Sequence, residues 1–150
     1  MQSFANGARY TGDWKENMKH GQGMFIYPDG SRYEGSWVAN MREGFGKYVY
    51  ANGDTYEGEW ERDLKHGLGA YAHKREHYKY VGQWLYGQMC GEGELVNDSY
   101  KLKSKFSQNN PVGSCHYIFH NNNVLDGFYK DENRVCFINF INFLYRIYCN

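Results

Sequence analysis

The sequence predicts an all-β fold: an elongated single-layer antiparallel β-meander of tandem hairpins, followed by an apolar tail of open structure. Three observations indicate this fold. A Tyr-x-Gly-x-Trp motif recurs at a spacing of 23 residues, with one step of 24. A Gly-x-Gly pair follows each Trp by seven residues. Dipeptides that favour tight turns, such as Asp29-Gly30 and Asn52-Gly53, lie between the units. A fixed period of roughly 20 to 50 residues is the signature of a repeat array.

The residues of the repeated motif define four units. The motif copies are Tyr10-Thr-Gly12-Asp-Trp14, Tyr33-Glu-Gly35-Ser-Trp37, Tyr56-Glu-Gly58-Glu-Trp60 and Tyr80-Val-Gly82-Gln-Trp84. The glycine pairs are Gly21/Gly23, Gly44/Gly46, Gly67/Gly69 and Gly91/Gly93.

Each unit is interpreted as a β-hairpin. In the second unit Tyr33, Gly35 and Trp37 fall on one face of an extended strand, because side chains alternate along a strand. Residues 47–50 alternate again and predict the second strand. An irregular connection of about six residues, 38–43, is expected between the two strands.

The units are expected to join through type I′ turns. Asp29-Gly30 and Asn52-Gly53 suit this turn, which needs a positive φ at both central positions. The same signal at Asn6-Gly7 precedes the first unit. The array is therefore predicted to be one continuous meander.

The glycine between the two rings of each motif requires an explanation. Glycine inside a strand costs about 0.5–1 kcal/mol relative to alanine, and it is tolerated where another group approaches the backbone closely. We expect an aromatic ring from the neighbouring strand to lie over it. One hairpin cannot bury such rings alone, so stability should need at least three units and be lost from the ends inward.

The motif residues are predicted to form the core, with a partly open rim that serves as an interface, since partly exposed Tyr and Trp commonly anchor interfaces. These candidate core and interface residues are Tyr10, Gly12, Trp14, Tyr33, Gly35, Trp37, Tyr56, Gly58, Trp60, Tyr80, Gly82 and Trp84.

The domain organisation follows from where the pattern weakens. Four clear repeats span 10 to 98, and two degenerate repeats follow from about 100 to 129, which gives an array over 1–129. Leu102, Ser104 and Phe106 replace Tyr, Gly and Trp in the fifth unit. The apolar tail, 130–150, fits a helix by its spacing and a strand by its β-branched and aromatic content, so both alternatives stay open.

Composition narrows the function classes. Lys+Arg and Asp+Glu both number 17 in 150 residues, so the balanced charge predicts neither nucleic-acid nor anionic-membrane binding. The N-terminus shows no signal-peptide pattern, and the four cysteines form no Cys-x-x-Cys pair. A reduced intracellular compartment is expected.

No residue set predicts catalysis, a cofactor or a metal. His20 and His66 recur at one repeat position, and we expect them to hydrogen-bond the Gly-x-Gly bend. The glycine pairs lack the strand-to-helix context of a phosphate loop and are interpreted as bends or bulges. Cys90 is interpreted as a packing residue, and Glu57 and Glu59 have no pocket to tune them.

The four units resemble the MORN repeat, Tyr-Glu-Gly-x-Trp-x6-His-Gly-x-Gly, at positions 10–23, 33–46, 56–69 and 80–93. Glu43 and Cys90 depart from it at the His position. The stretches 19–35 and 105–113 are further similar to the MORN-repeat subunits of the radial spoke head of motile cilia.

The resemblance implies a non-enzymatic scaffold of the ciliary and flagellar axoneme, in cytoplasm and cytoskeleton, that supports ciliary motility and sperm formation. It implies other radial spoke head proteins as partners, with a second copy of the chain as a further candidate. An alternative is a peripheral membrane adaptor that associates with phospholipids, as proposed for other MORN arrays. A third hypothesis is an adaptor for an enzyme, as in methyltransferases that carry MORN units.

Overall fold

The chain forms one open antiparallel sheet. A computed structural model describes residues 1–131, 134–141 and 144–149, and their side chains up to residue 130. The described residues contain no helix. The strands are β1 (Gln2–Ser3), β2 (Arg9–Lys15), β3 (Met18–Ile26), β4 (Arg32–Val38), β5 (Met41–Val49), β6 (Thr55–Glu61), β7 (Leu64–His73), β8 (Tyr78–Leu85), β9 (Gln88–Val96), β10 (Tyr100–Ser107), β11 (Asn110–Phe119), β12 (Val124–Asp131), β13 (Arg134–Ile141) and β14 (Leu144–Cys149).

The strand order in the sheet is the order in the sequence, from β1 to β14. Each described strand pairs only with its neighbours in the sequence, so the described sheet is a meander without crossovers. The predicted all-β, single-layer fold is confirmed. The apolar tail continues the same pattern as β13 and β14, so the structure selects strands from the two alternatives that the sequence left open.

The turns between units are not of type I′, and that prediction was wrong. Gly30 has a φ of +85°, whereas Asp29 is not among the residues with positive φ. The Gly30 N–H donates to the Tyr27 carbonyl (3.0 Å), and the Tyr27 N–H donates to the Ser31 carbonyl (2.9 Å). This is a three-residue loop, a type I turn closed by a left-handed glycine. Pro28 favours it, since proline suits the second position of a type I turn.

The type I′ turns lie instead inside the units. Ala39 and Asn40 connect β4 to β5 with φ values of +48° and +71°. The irregular connection predicted for residues 38–43 is therefore wrong, because Val38 still belongs to β4 and β5 already begins at Met41. The same two-residue turn recurs in the other units. Its positive-φ pairs are Glu16-Asn17, Arg62-Asp63, Tyr86-Gly87 and Gln108-Asn109.

A bulge in each unit accounts for the first glycine of the Gly-x-Gly pair. Gly35 pairs with Gly46, but Trp37 pairs with Arg42, so the register shifts between them. Gly44 lies within the shift and has a φ of +73°. The left-handed conformation favours glycine there, which confirms the interpretation of these pairs as bulges.

The glycine between the two rings of the motif is required by the backbone of the paired strand, whereas the sequence predicted an aromatic ring at this place. A Cβ on Gly35 would lie 2.6 Å from the Phe45 carbonyl oxygen, in backbone of the paired strand. The ring of Tyr33 lies on Gly46, where a Cβ would meet its Cε2 atom at 2.6 Å. The tyrosine therefore covers the glycine of the partner strand, and its own glycine lets the two backbones approach.

Candidate interaction surface

The core is a row of tyrosines along one face of the sheet. Tyr10, Tyr33, Tyr56 and Tyr80 are fully buried. Each hydroxyl donates to the carbonyl three residues later in its own unit, as Tyr56 does to Glu59 (2.9 Å) and Tyr80 to Gln83 (3.1 Å). Burial raises the pKa of Tyr80 to about 12. The phenol rings therefore pack in the core, and their hydroxyls hydrogen-bond the backbone beside the bulge.

The tryptophans join one unit to the preceding unit. Trp37, Trp60 and Trp84 are no more than 5% exposed. Their indole N–H groups donate to the carbonyls of Gly23 (3.0 Å), Gly46 (3.1 Å) and Gly69 (3.2 Å), each in the preceding unit. Trp14 differs, because it is 42% exposed.

Tyrosine and tryptophan rings alternate edge to face along the sheet. Within the second unit, the Tyr33 and Trp37 centroids lie 5.0 Å apart at 88°. Tyr33 also contacts Trp60 of the next unit at 5.4 Å and 87°. Such contacts add about 0.5–1.5 kcal/mol beyond the buried area. The period of the motif is therefore the period of a continuous ring stack.

Three cations cover the tryptophans, and sequence reasoning missed them. We name Lys19, Arg42 and Lys65 the cation row. Their charged groups lie over the rings of Trp37 (5.0 Å), Trp60 (4.4 Å) and Trp84 (4.1 Å), respectively. Burial lowers the pKa of Lys65 to about 8. The signal was available, since the three cations recur at the 23-residue period.

In the second to fifth units, the second residue of the type I′ turn hydrogen-bonds the backbone of the preceding unit. Asn40 donates its N–H to the Lys19 carbonyl (3.0 Å), and its Oδ1 accepts the Lys19 N–H (2.8 Å). Asp63 does the same to Arg42, and Asn109 to Met89. Gly87 makes the first of these bonds to Lys65 (2.9 Å). We name this pair of bonds the turn bracket.

Comparison with known proteins identifies the repeat. A family model described as MORN repeat matches residues 10–32, 33–55, 56–72 and 80–99, which together exceed half of the chain. The chain belongs to the MORN repeat family. The match ends at residue 99, whereas the strand pattern continues through the buried Leu102, Ser104 and Phe106.

One curated relative shares a short segment with this MORN chain. "Radial spoke head 1 homolog" of Mus musculus is 53% identical over 41 residues. The segment is 27% of this chain and 14% of the length of the mouse protein.

The MORN histidines do not hydrogen-bond the bulge as predicted. The Gln22 N–H at the first bulge donates to Asp13 Oδ2 (3.1 Å), and the Leu68 N–H donates to Glu59 Oε1 (3.0 Å). The side chain of His66 instead lies 3.1 Å from the Glu61 carboxylate. In the first and third units, the carboxylate between the Gly and Trp of the motif therefore stabilises the bulge, because it lies across from the bulge on the paired strand.

Among residues 1–130, whose side chains the structure describes, the cysteines and acidic residues form no reactive arrangement. Cys115 is buried, and burial raises the pKa of its thiol. Among the residues described, no three His, Cys, Asp or Glu side chains converge as a metal-binding group. Within that same part of the chain, no helix is long and apolar enough to cross a membrane.

A buried carboxylate anchors the loop at the step of 24 residues. Asp54 accepts the Tyr71 hydroxyl (2.5 Å) and the Lys74 N–H (2.9 Å) and is almost fully buried. Burial opposes the charge of Asp54, but these hydrogen bonds and one from Asn52 prevail and lower its pKa. Hydrogen bonds to the buried Asp54 carboxylate therefore hold the longer loop in place.

Apolar side chains remain exposed on the face opposite the aromatic core. Phe45 pairs with Glu59 and Leu68 pairs with Gln83, so both project from that face. They are 61% and 62% exposed. Val81 is also exposed, and it pairs with Ala70 on the same face. A surface of this kind suits protein contacts, since partners are bound by exposed apolar patches.

Proposed function

We propose that this MORN chain is a structural scaffold of the ciliary and flagellar axoneme. In this proposal it is a component of the radial spoke head and supports ciliary motility and sperm formation. The observation that carries the proposal is the 53% identity over 41 residues to the mouse radial spoke head 1 homolog.

The geometry supports a role in assembly and not in catalysis. The four buried tyrosines donate their hydroxyls to backbone carbonyls, and three of the four motif tryptophans are buried between units. These groups stabilise an extended platform. The exposed Phe45, Leu68 and Val81 face away from it and are available to other proteins.

The proposed partners are other radial spoke head proteins, with a second copy of the chain as a further candidate. The proposed location is the cytoplasmic cytoskeleton of the cilium or flagellum. The match to the mouse radial spoke protein supports both.

The proposal is tested by expressing the tagged chain in a ciliated cell and isolating detergent-extracted axonemes. We expect the tagged chain in the axonemal pellet, and cross-linking mass spectrometry should connect it to spoke-head subunits. The double variant Phe45→Ser and Leu68→Ser removes exposed apolar contacts and should weaken those cross-links. Tyr86→Ser is the matched control, because Tyr86 is 70% exposed but lies in a turn. A chain that is fully released by detergent would contradict the proposal.

No observation favours the peripheral-membrane alternative. The charges balance at 17 of each sign, and the three cations of the cation row lie over aromatic rings. Sedimentation with anionic phosphatidylserine vesicles at low salt measures this directly, and we expect no binding.

A further inference from the structure

The bulge of two units contains a carboxylate-binding site made by the backbone. A bulge leaves one residue of its strand unpaired, and in these units a side chain accepts the N–H of that residue. The Gln22 N–H donates to Asp13 Oδ2 (3.1 Å), and the Leu68 N–H donates to Glu59 Oε1 (3.0 Å). The same backbone geometry therefore accommodates both a short and a long acidic side chain.

This position beside the bulge is filled in the first four units and open in the fifth. A Cβ on Gly21 would lie 2.5 Å from a carboxylate oxygen, and one on Gly44 would lie 3.4 Å from a serine Cβ. The side chains that fill the position in the four units are Asp13, Ser36, Glu59 and Gln83. In the fifth unit Gly113 has the same left-handed conformation, with a φ of +68°, but a Cβ there would meet nothing within 4 Å.

The fifth unit keeps the bulge and carries a cation in place of the carboxylate. The register shifts between Ser104 and Lys105, as it does between Gly12 and Asp13. Lys105 therefore occupies the position of Asp13, and Ser114 is the residue whose N–H the carboxylate would accept. An ammonium group has donors only and cannot accept that N–H.

Cations and an apolar ring surround the open position. A hollow of about 620 Å³ lies there, and its lining includes Glu92, Lys103, Lys105, Ser114, His116 and Phe128. The Lys105 ammonium lies 3.7 Å from the Glu92 carboxylate, and the two side chains are 69% and 72% exposed. Such an exposed pair is weak and readily exchanges its partner. Phe128 is 48% exposed, so the hollow combines a backbone N–H, an available cation and an apolar wall.

We propose that the bulge of the fifth unit binds the carboxylate of a Glu or Asp side chain from a partner protein, in a segment where apolar residues flank the acid. The carboxylate accepts the Ser114 N–H and pairs with Lys105, and a flanking apolar side chain covers Phe128. The bonds that Asp13 and Glu59 make within the chain are the pattern for this contact.

The acidic side chains on the same face of this chain are less suited to fill the hollow of a second copy. Glu57 lies 3.1 Å from Lys47 Nζ, and Glu94 lies 3.0 Å from Lys103 Nζ. The carboxylates of the first and third units already accept bulge N–H groups. Each of these would have to break a bond within its own chain, so we assign the site to a different polypeptide.

The carboxylate site is independent of the proposed ciliary role, because it depends on the bulge geometry alone. A chain that never reaches axonemes could still bind an acidic segment, and an axonemal chain could leave the bulge open. Failure of one proposal is thus distinguishable from failure of the other.

The probe is an acetylated and amidated pentapeptide, Ser-Leu-Glu-Leu-Ser, added to the full chain labelled with ¹⁵N. We expect the Ser114 amide proton to move downfield saturably at millimolar peptide, because bonds to a charged acceptor are short and strong. The analogue with Gln in place of Glu should bind about ten- to a hundredfold more weakly, the range for a hydrogen bond to a charged group. Sodium acetate and inorganic phosphate are the free-anion probes, and both should shift Ser114 less than the peptide does.

Variants at Lys105 test the contact from within the chain. Lys105→Glu supplies the acid that the third unit carries, so the Ser114 amide should move downfield without peptide and peptide binding should be lost. Lys105→Ala leaves the position open but removes the cation, and it should weaken binding about two- to fivefold. Lys15→Glu is the matched control, because it makes the same charge change at an exposed strand residue of the first unit. At about 0.15 M salt a remote charge is screened, so this control should leave the Ser114 amide and the affinity unchanged.

A variant at Phe128 tests the apolar flank. The parent chain should bind the leucine-flanked peptide more tightly than Ser-Ser-Glu-Ser-Ser, and Phe128→Ser should lose that preference.

Several results would overturn the proposal. One is the absence of a saturable Ser114 shift, and another is equal affinity for the Glu and Gln peptides. A Ser114 amide that does not move in Lys105→Glu would show that this bulge takes no carboxylate. Shifts with acetate or phosphate as large as those with peptide would assign the site to a free anion. A Ser114 resonance that depends on protein concentration, with dimers in sedimentation velocity, would assign it to a contact between two copies.

Discussion

At the scale of single residues, the glycine of Tyr-x-Gly-x-Trp has a steric role. Gly35 lies opposite Gly46, and neither backbone leaves room for a side chain. The close approach brings the two strands near enough for the Tyr33 ring to cover Gly46. A large aromatic core thus depends on positions that carry no side chain at all.

Gly35→Ala should destabilise the chain by about 3 kcal/mol, the upper part of the range for overpacking. The added Cβ would lie 2.6 Å from a backbone oxygen, which cannot rotate away. Gly30→Ala is the matched control, since its Cβ would meet nothing within 4 Å and would only occupy a φ of +85°. That strain costs about 1–2 kcal/mol. Urea denaturation measures both, and equal losses would contradict the steric explanation.

Lys65 is a partly buried cation whose charge opposes folding. Its pKa is about 8 in the folded chain, below the ordinary 10.5, because burial disfavours the charged form. Between these two pH values the unfolded chain binds more protons than the folded chain. Stability from this residue should therefore rise as the pH increases from about 8 to about 10.5.

Lys65→Met and Lys65→Arg should both reduce this rise, because neither side chain titrates in that range. Both residues occur naturally at the equivalent position, as Met89 and Arg42. At pH 7 we expect Lys65→Met to be at least as stable as the parent, because removal of the buried charge offsets the loss of a cation–π contact worth about 0.5–1 kcal/mol. Urea midpoints at pH 7 and 9.5 provide the measurement. A pH slope identical in all three proteins would argue against the assigned cause.

At the scale of elements, the type I′ turn both closes a hairpin and fastens it to the preceding one. The turn bracket at Asn40 reaches Lys19, and the one at Asp63 reaches Arg42. Arg42 also pairs with the Asp63 carboxylate (2.9 Å). The hairpin tip is therefore part of the interface between units.

Asn40→Gly and Asn17→Gly form a matched pair for this role. Both keep a residue that tolerates a left-handed φ, but Asn40 also loses its bond to the Lys19 N–H. Asn40→Gly should cost about 1 kcal/mol, whereas Asn17→Gly should stay within about 0.5 kcal/mol. Thermal unfolding of the two variants measures the difference. Equal costs would mean that the bracket bond contributes nothing.

At the scale of the whole molecule, strand order equals sequence order, so each unit is stabilised chiefly by its two neighbours. Such arrays behave as one-dimensional chains of coupled units. The ring stack and the turn brackets supply the coupling between neighbours.

Native-state hydrogen exchange should therefore show graded protection. Amides of β4 to β7 should exchange most slowly, and protection should fall through β2 toward β1. Mass spectrometry of proteolytic peptides measures the amide protection of each strand separately. A uniform protection across all units would indicate a single cooperative transition instead.

The sequence predicted the fold well, because the period and the Tyr/Trp alternation depend on local geometry. It misplaced the type I′ turns, since Asp-Gly and Asn-Gly suit both two-residue turns and left-handed glycine closures. It also assigned the bulge to His20 and His66, because it could not show that Asp13 and Glu59 lie across the strand from the bulge. The cation row shared the period but was hidden by changes between Lys, Arg and Met.

The sequence by itself determined the four clear repeats, their meander order and which ring positions face the core, since all three follow from strand alternation and a fixed spacing. The tertiary structure decided which of those rings are covered. Trp14 and Trp60 occupy the same position of the motif, yet Trp14 is 42% exposed and Trp60 is 5% exposed. The difference is the presence of a preceding Gly-x-Gly strand, a neighbour that the motif itself cannot specify.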